Sequence, residues 1–208
     1  MNHLKDGIIT EEFHNNIRRN LEQIAVAPSR YQAVWHPVGF IHVNLGESDA
    51  SNLRLHVWTS IPKEYRGLGW QIHDHTWRLT SYVICGRVRN LIYAINPSPV
   101  IATHRIYDVK YDGRINYLEA SNEQITYEIL KEEIMSQGNT YTVETKAFHS
   151  SEVEENTLAA TLVLAEKTQL KSPRVIGDLN GQKTYIMERH ICADHILKDE
   201  VTKILQVL

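Results

Sequence analysis

Between Tyr31 and Leu164 the chain breaks into short β-branched and aromatic runs separated by turn residues, with no helical period between them. Val38 to Leu45, Leu53 to Trp58, Leu79 to Ile84, Arg87 to Ile95 and His104 to Val109 each read as a strand. So do Ile115 to Ala120, Ile125 to Leu130, Thr140 to Val143, Ala147 to His149 and Leu158 to Leu164. Gly46 to Asn52 is a polar turn, and Pro62 to Gly69 a charged loop. Many short strands at close spacing must bury their apolar faces against one another, which predicts an all-β sandwich or barrel.

Helices are expected only at the two ends. Phe13, Ile17, Leu21 and Ile24 fall on one stripe of a helix over Thr10 to Ala27, with Thr10 as N-cap and Pro28 closing it. Leu197, Val201, Ile204, Leu205 and Leu208 form the stripe of a second helix from Asp194, which can cap it. Just before it, Asn180-Gly181 signals a hairpin turn ahead of a strand over Lys183 to Arg189. The expected division is an N-terminal helical extension over 1–30, a barrel over 31–190 and a C-terminal helix over 191–208 packed on the barrel. A total of 208 residues suits one domain with such extensions.

Composition excludes some partners. Net charge is −3 with no run of Lys or Arg, so there is no electrostatic footprint for nucleic acid or an anionic membrane. No apolar stretch approaches membrane-span length, and the first residues lack a signal-peptide core, so a cytoplasmic location is expected. Cys85 and Cys192 are too few for a disulfide framework and are not spaced as a metal pair; Cys85 reads as a core filler.

Chemistry concentrates at His73-Asp74-His75. On a strand, residues two apart share a face, which puts the two Cβ atoms roughly 6–7 Å apart. Two imidazoles at that spacing can share one ion through bonds of about 2.1 Å. By the same parity Trp77, Leu79, Ser81 and Val83 face the histidines, while Asp74 points away and bonds neighbouring backbone. Trp77 is then either an aromatic wall beside the ion or a core residue. Arg54, His56 and Trp58 share one face of the preceding strand. If that face is the cavity, Arg54 can hold an anionic substrate group; the alternative is a solvated arginine on an outer face. His42 and His104 are candidate pocket bases, and Tyr82 and Tyr141 read as packing residues. No side chain stands out as the catalytic group, and His14 has no evident role.

Longer spacings carry a resemblance. Gly67 stands six before His73, and His75 is followed by Leu79 and then Gly86; Gly138 stands eleven before His149. These match the two spaced motifs of the cupin superfamily, G-x5-H-x-H-x3-E-x6-G and G-x5-P-x-G-x2-H, over residues 38 to 168. Leu79 takes the place of the usual glutamate ligand, and Glu144 and Lys146 take those of the second motif's Pro and Gly. The resemblance implies a jelly-roll (double-stranded β-helix) barrel with His73, His75 and His149 as metal ligands, and the homodimer common among cupins. The string Ile72 to Thr76 is similar to the metal strand of cysteine dioxygenases, which implies Fe(II), with Zn, Ni, Mn or Cu as alternatives for an all-imidazole set. The strand after His149 reads Thr161 to Ala165 and lacks that family's Ser-x-His-x-Tyr run, and its cross-linking cysteine is absent near Leu79 or Thr80. The expectation is therefore a non-haem Fe(II) dioxygenase resembling thiol dioxygenases but acting on a small chelating metabolite other than cysteine. A metal cupin lyase or isomerase without O2 and a non-enzymatic ligand-binding cupin are the alternatives.

Overall fold

The alternating segments pair into two antiparallel sheets of six strands each. The computed structural model describes residues 9–59, 68–98, 100–168 and 172–208. Its strands are β1 (Ala33–Trp35), β2 (Ile41–Glu47), β3 (Ser51–Trp58), β4 (Trp77–Cys85), β5 (Arg87–Pro97) and β6 (His104–Asp112). They continue as β7 (Ile115–Ser136), β8 (Thr140–Val143), β9 (Phe148–Glu152), β10 (Ala159–Lys167), β11 (Arg174–Asp178) and β12 (Thr184–Glu188). The first sheet runs β1-β2-β3-β10-β4-β8; the second runs β11-β6-β7-β5-β9, with β12 also on β7. Strand β10 lies between β3 and β4, so the chain returns late to complete a sheet begun early. This is the all-β architecture of two antiparallel sheets expected, flanked by helices at both ends.

Those helices decide which face of the first sheet is inside. Helix α1 (Glu11–Val26) is capped by the Thr10 hydroxyl, which accepts from the Phe13 N–H at 3.1 Å. Its stripe of Phe13, Ile17, Leu21 and Ile24 is buried with Leu55 and Val57 of β3, Tyr82 and Ile84 of β4, and Leu162 and Leu164 of β10. Helix α2 (Asp194–Val207) adds Leu197, Val201 and Ile204 to the same cluster. Burying each such side chain contributes about 1.5–3 kcal/mol, which secures both helices to this face. Strand parity then turns Leu79, Val83, Val143 and Val163 into a second cluster on the opposite, interior face.

Several local expectations are corrected. Ala193, not Asp194, occupies the N-cap of α2, and no side chain caps it. Leu208 lies past the end of α2, where it is 37% exposed, whereas Glu200 is buried and accepts from the Lys203 ammonium at 2.5 Å. The two strands expected over 115–130 are one continuous strand, β7: its first half pairs β6, its second half pairs β5, and Ile125 is partnered by both His104 and Pro97. The polar run Ser121 to Gln124 lies at a register irregularity between β6 and β7, and the strand continues through it because Ala120 and Gln124 on either side pair Tyr107 and Arg105. Asn180-Gly181 does not close a two-stranded hairpin, since β11 pairs β6 while β12 pairs β7. The charged loop over 62–69 falls almost wholly outside the described residues. Among the described residues no helix is long and apolar enough to cross a membrane.

The chain passes from the first sheet to the second at Gly86, where φ is +75° and an added Cβ would lie 2.3 Å from the Leu158 carbonyl oxygen. Both the left-handed backbone and the close approach require glycine. Gly86→Ala is expected to cost about 3 kcal/mol or more, read as a fall in the urea midpoint. A loss below about 0.5 kcal/mol would show that the turn relaxes freely.

Candidate metal centre

Residues 70 to 76 do not form the expected strand. The chain is extended there, but the ladder shrinks to single bridges, and β4 begins only at Trp77. His73 bridges His149 of β9 on one side and Val175 of β11 on the other. His73 N–H donates to the His149 carbonyl at 3.0 Å, and His149 N–H returns the bond at 2.9 Å. Toward β11, Asp74 N–H donates to Arg174 O and Ile176 N–H to Ile72 O, both at 2.9 Å. Strands β9 and β11 are the two ends of the second sheet, so this segment closes that sheet on itself.

The side chains still alternate. Asp74 points away from the histidines and is almost fully buried, and it reaches further than neighbouring backbone. Its carboxylate accepts from the Arg174 backbone N–H at 2.5 Å and from the Arg174 Nε and Nη2 at 2.8 Å each. The same guanidinium lies 4.8 Å over the Phe148 ring, next to His149. Lys146 stands where the second cupin motif has glycine and adopts φ +63°, the left-handed backbone a glycine would supply. Its N–H donates to the His75 carbonyl at 3.0 Å, which ties the turn before β9 to the His73–His75 segment.

These constraints bring His73, His75 and His149 together. One ring nitrogen from each lies within 4.8 Å of the others. The Nε2 atoms of His75 and His149 are 2.9 Å apart, and the ring centroids are separated by 4.7, 4.8 and 5.0 Å. Three nitrogens bonded at about 2.1 Å to one ion would stand roughly 3.0–3.4 Å from each other, so the group fits a metal with a small closing movement. His73 Nδ1 lies 2.8 Å from the Gln71 carbonyl and donates to it, leaving Nε2 as the free lone pair. Burial holds all three rings below the ordinary imidazole pKa, and the other two rings push His75 lower still. Neutral imidazoles are the form that ligates a metal.

A cavity of about 130 Å³ adjoins the three rings. Arg54, His56 and Trp58 line it, because Leu55 and Val57 take the helix-covered face of β3; the outer-face alternative for Arg54 is excluded. Trp77, Leu79 and Ser81 line it as parity requires, whereas Val83 lies behind it in the interior cluster. The Arg54 guanidinium stands 5.2 Å over the Trp77 ring. His42 is at the cavity; His104 is not, since its Nδ1 is 2.8 Å from the Thr103 hydroxyl and its ring packs on Tyr127. Tyr141 is a cavity residue and more than packing, while Tyr82 faces the helices, edge-on to Phe13 and 2.8 Å from His14 Nε2. The Cys85 thiol is buried and pushed up to about 11 by burial, which makes it inert.

Three cavity residues carry no sequence signal: His36, stacked on Phe40 at 4.5 Å, and Tyr111 and Arg189, whose groups meet at 5.0 Å. They come from separate loops and strand ends, and no spacing rule joins them.

No family model matches the chain, and no curated protein matches it. Among solved structures it is similar to hydroxypropylphosphonic acid epoxidase from S. wedmorenis, at 12% identity and a TM-score of 0.38. That likeness covers 67% of this chain and 56% of the epoxidase chain, and at such a distance it carries no argument about chemistry.

Asp74→Ala leaves the Arg174 guanidinium uncompensated and frees the segment between the two outer strands. It is expected to cost toward the lower end of ~3–5 kcal/mol, because Arg174 keeps some solvent. Metal affinity should fall about 10–100-fold, read by competition with a chelating dye. Unchanged affinity would detach Asp74 from the centre.

Burial lowers His36, His42, His56, His73, His75 and His149 from 6.5 in the folded chain, His42 to about 3. Below pH 6.5 the unfolded chain therefore binds more protons than the folded one, and stability drops as pH falls. Chelator-treated protein should show a constant urea midpoint above pH 7 and a steady decline from pH 6.5 downward. A flat profile between pH 7 and 5 would mean that these rings carry charge in the fold.

Proposed function

We propose that this chain is a metal-dependent enzyme that holds Fe(II) on His73, His75 and His149 and oxygenates a small chelating metabolite. The observation that supports it is the convergence of three neutral imidazoles, with no carboxylate among them, on the wall of a buried cavity. Three nitrogen ligands leave the ion its full positive charge and leave coordination positions free on the cavity side. When bound there, such an ion supplies a centre at which O2 and a chelating substrate can meet.

The chain's own groups provide the setting. Gln71 holds the His73 ring in one tautomer. Trp77, Leu79 and Val143 give the cavity an apolar wall that limits water around the reacting atoms. Ser81 and Tyr141 present hydroxyls to the same space and can orient a polar substituent. On β10, Thr161 is buried in the strand and Leu162 and Leu164 face the helices, so the strand offers nothing like the Ser-His-Tyr run of cysteine dioxygenases. The substrate is accordingly a small chelator other than cysteine.

Freshly purified protein should contain stoichiometric iron by elemental analysis, and His149→Ala should contain almost none while keeping its fold. An oxygen electrode should register O2 uptake with at least one small thiol or other chelating acid. Zinc or nickel at full occupancy with no uptake would refute the oxygenase reading, and turnover that persists without O2 would replace it with Lewis-acid chemistry.

A further inference from the structure

The cavity beside the three histidines has a second, cationic half. Arg54 from β3 and Arg189 from just beyond β12 both line it, and no aspartate or glutamate does. Neither guanidinium has a carboxylate partner among the described residues. Each is instead placed on an aromatic ring, Arg54 over Trp77 at 5.2 Å and Arg189 over Tyr111 at 5.0 Å. A ring face steers a guanidinium without neutralising it and leaves its N–H edge free for a planar or tetrahedral oxyanion. The Nε atoms of both arginines are buried without a hydrogen-bond partner, and so is Nε2 of His56 on the same strand face as Arg54. Buried polar atoms are nearly always paired, so two unpaired guanidinium N–H groups on one small cavity call for a missing acceptor.

The surroundings add little negative charge: Glu47 acts on Arg54 only through space, with no ion pair between them. The Asp74 carboxylate is taken up by Arg174. Burial keeps His36, His42 and His56 below the ordinary imidazole value, so they supply dipoles and no counter-charge. Size restricts the occupant as well. A cavity of about 130 Å³ is close to the ~150 Å³ that admits a benzene-sized molecule.

We infer that Arg54 and Arg189 form an oxyanion seat, so that the substrate is a small anion anchored by a carboxylate or a phosphonate/phosphate head with its other end turned toward the three histidines. The seat stands on the arginines alone; only the orientation of the far end rests on the metal reading proposed above.

Calorimetric titration of chelator-treated protein with acetate, methylphosphonate and inorganic phosphate tests the seat apart from the metal. At least one probe should bind the wild type and lose about tenfold or more in affinity in both Arg54→Gln and Arg189→Gln. Arg18→Gln, which removes an exposed arginine on α1 away from the cavity, should bind the same probe as the wild type does. Acetate as the best probe assigns a carboxylate head; methylphosphonate or phosphate assigns a phosphorus oxyanion. The glutamine variants should melt no lower than the wild type, because each removes an unneutralised buried charge. Should either fail to fold, the lysine variant keeps the charge, loses the fork and should show a smaller drop. Binding of no probe to the wild type, or equal binding to the arginine variants, overturns the seat. Arginine-dependent anion binding in a protein that takes up no metal would leave the seat intact and remove the oxygenase reading.

Discussion

The reciprocal backbone pair between His73 and His149 is the constraint on which the rest of this structure depends. It joins the two ends of the second sheet through a short extended segment and brings two distant imidazoles together by main-chain hydrogen bonds alone. The main chain thus places the rings of His73 and His149 whatever their protonation, and the His75 ring then comes within 2.9 Å of His149 through Nε2. Around this pair, Asp74 anchors the segment to Arg174 on one side, and the Lys146 N–H anchors His75 on the other. Lys146 bears the strain of a left-handed residue with a side chain, at the one turn that must reach His75.

The electrostatic arrangement inside is costly for stability and useful for binding. Six histidines are kept neutral by burial, and two arginines sit on aromatic faces with no carboxylate beside them. A cavity built for stability alone would pair those guanidiniums or replace them with apolar groups. That cost is the physical ground for the oxyanion seat inferred for Arg54 and Arg189. The outer cluster beneath the helices supplies the compensating stability, since it buries α1, α2 and one face of the first sheet together.

Periodicity made much of this legible in advance. The stripe Phe13, Ile17, Leu21 and Ile24 and the alternation in β3 are local patterns, because burial on one side imposes a period of 3.6 or 2 whatever the neighbours are. The His73/His75 parity survived even though the segment pairs at only one residue, since an extended backbone alternates with or without a ladder. What misled was local chemistry read without partners. Ser121 to Gln124 reads as a break and is a bulged stretch of one strand held by paired residues at its two ends, and Asn180-Gly181 reads as a hairpin although its flanking strands pair elsewhere. Arg54 was ambiguous until the helices had claimed the other face of β3.

By itself, then, the sequence determined the all-β class, the terminal helices and the three histidines, because each is written in spacing along the chain. Only the tertiary structure decided that Arg54 faces inward and that His36, Tyr111 and Arg189 share a cavity with it. Those residues come from elements far apart in sequence, and their proximity arises from sheet order and closure, which no local period encodes.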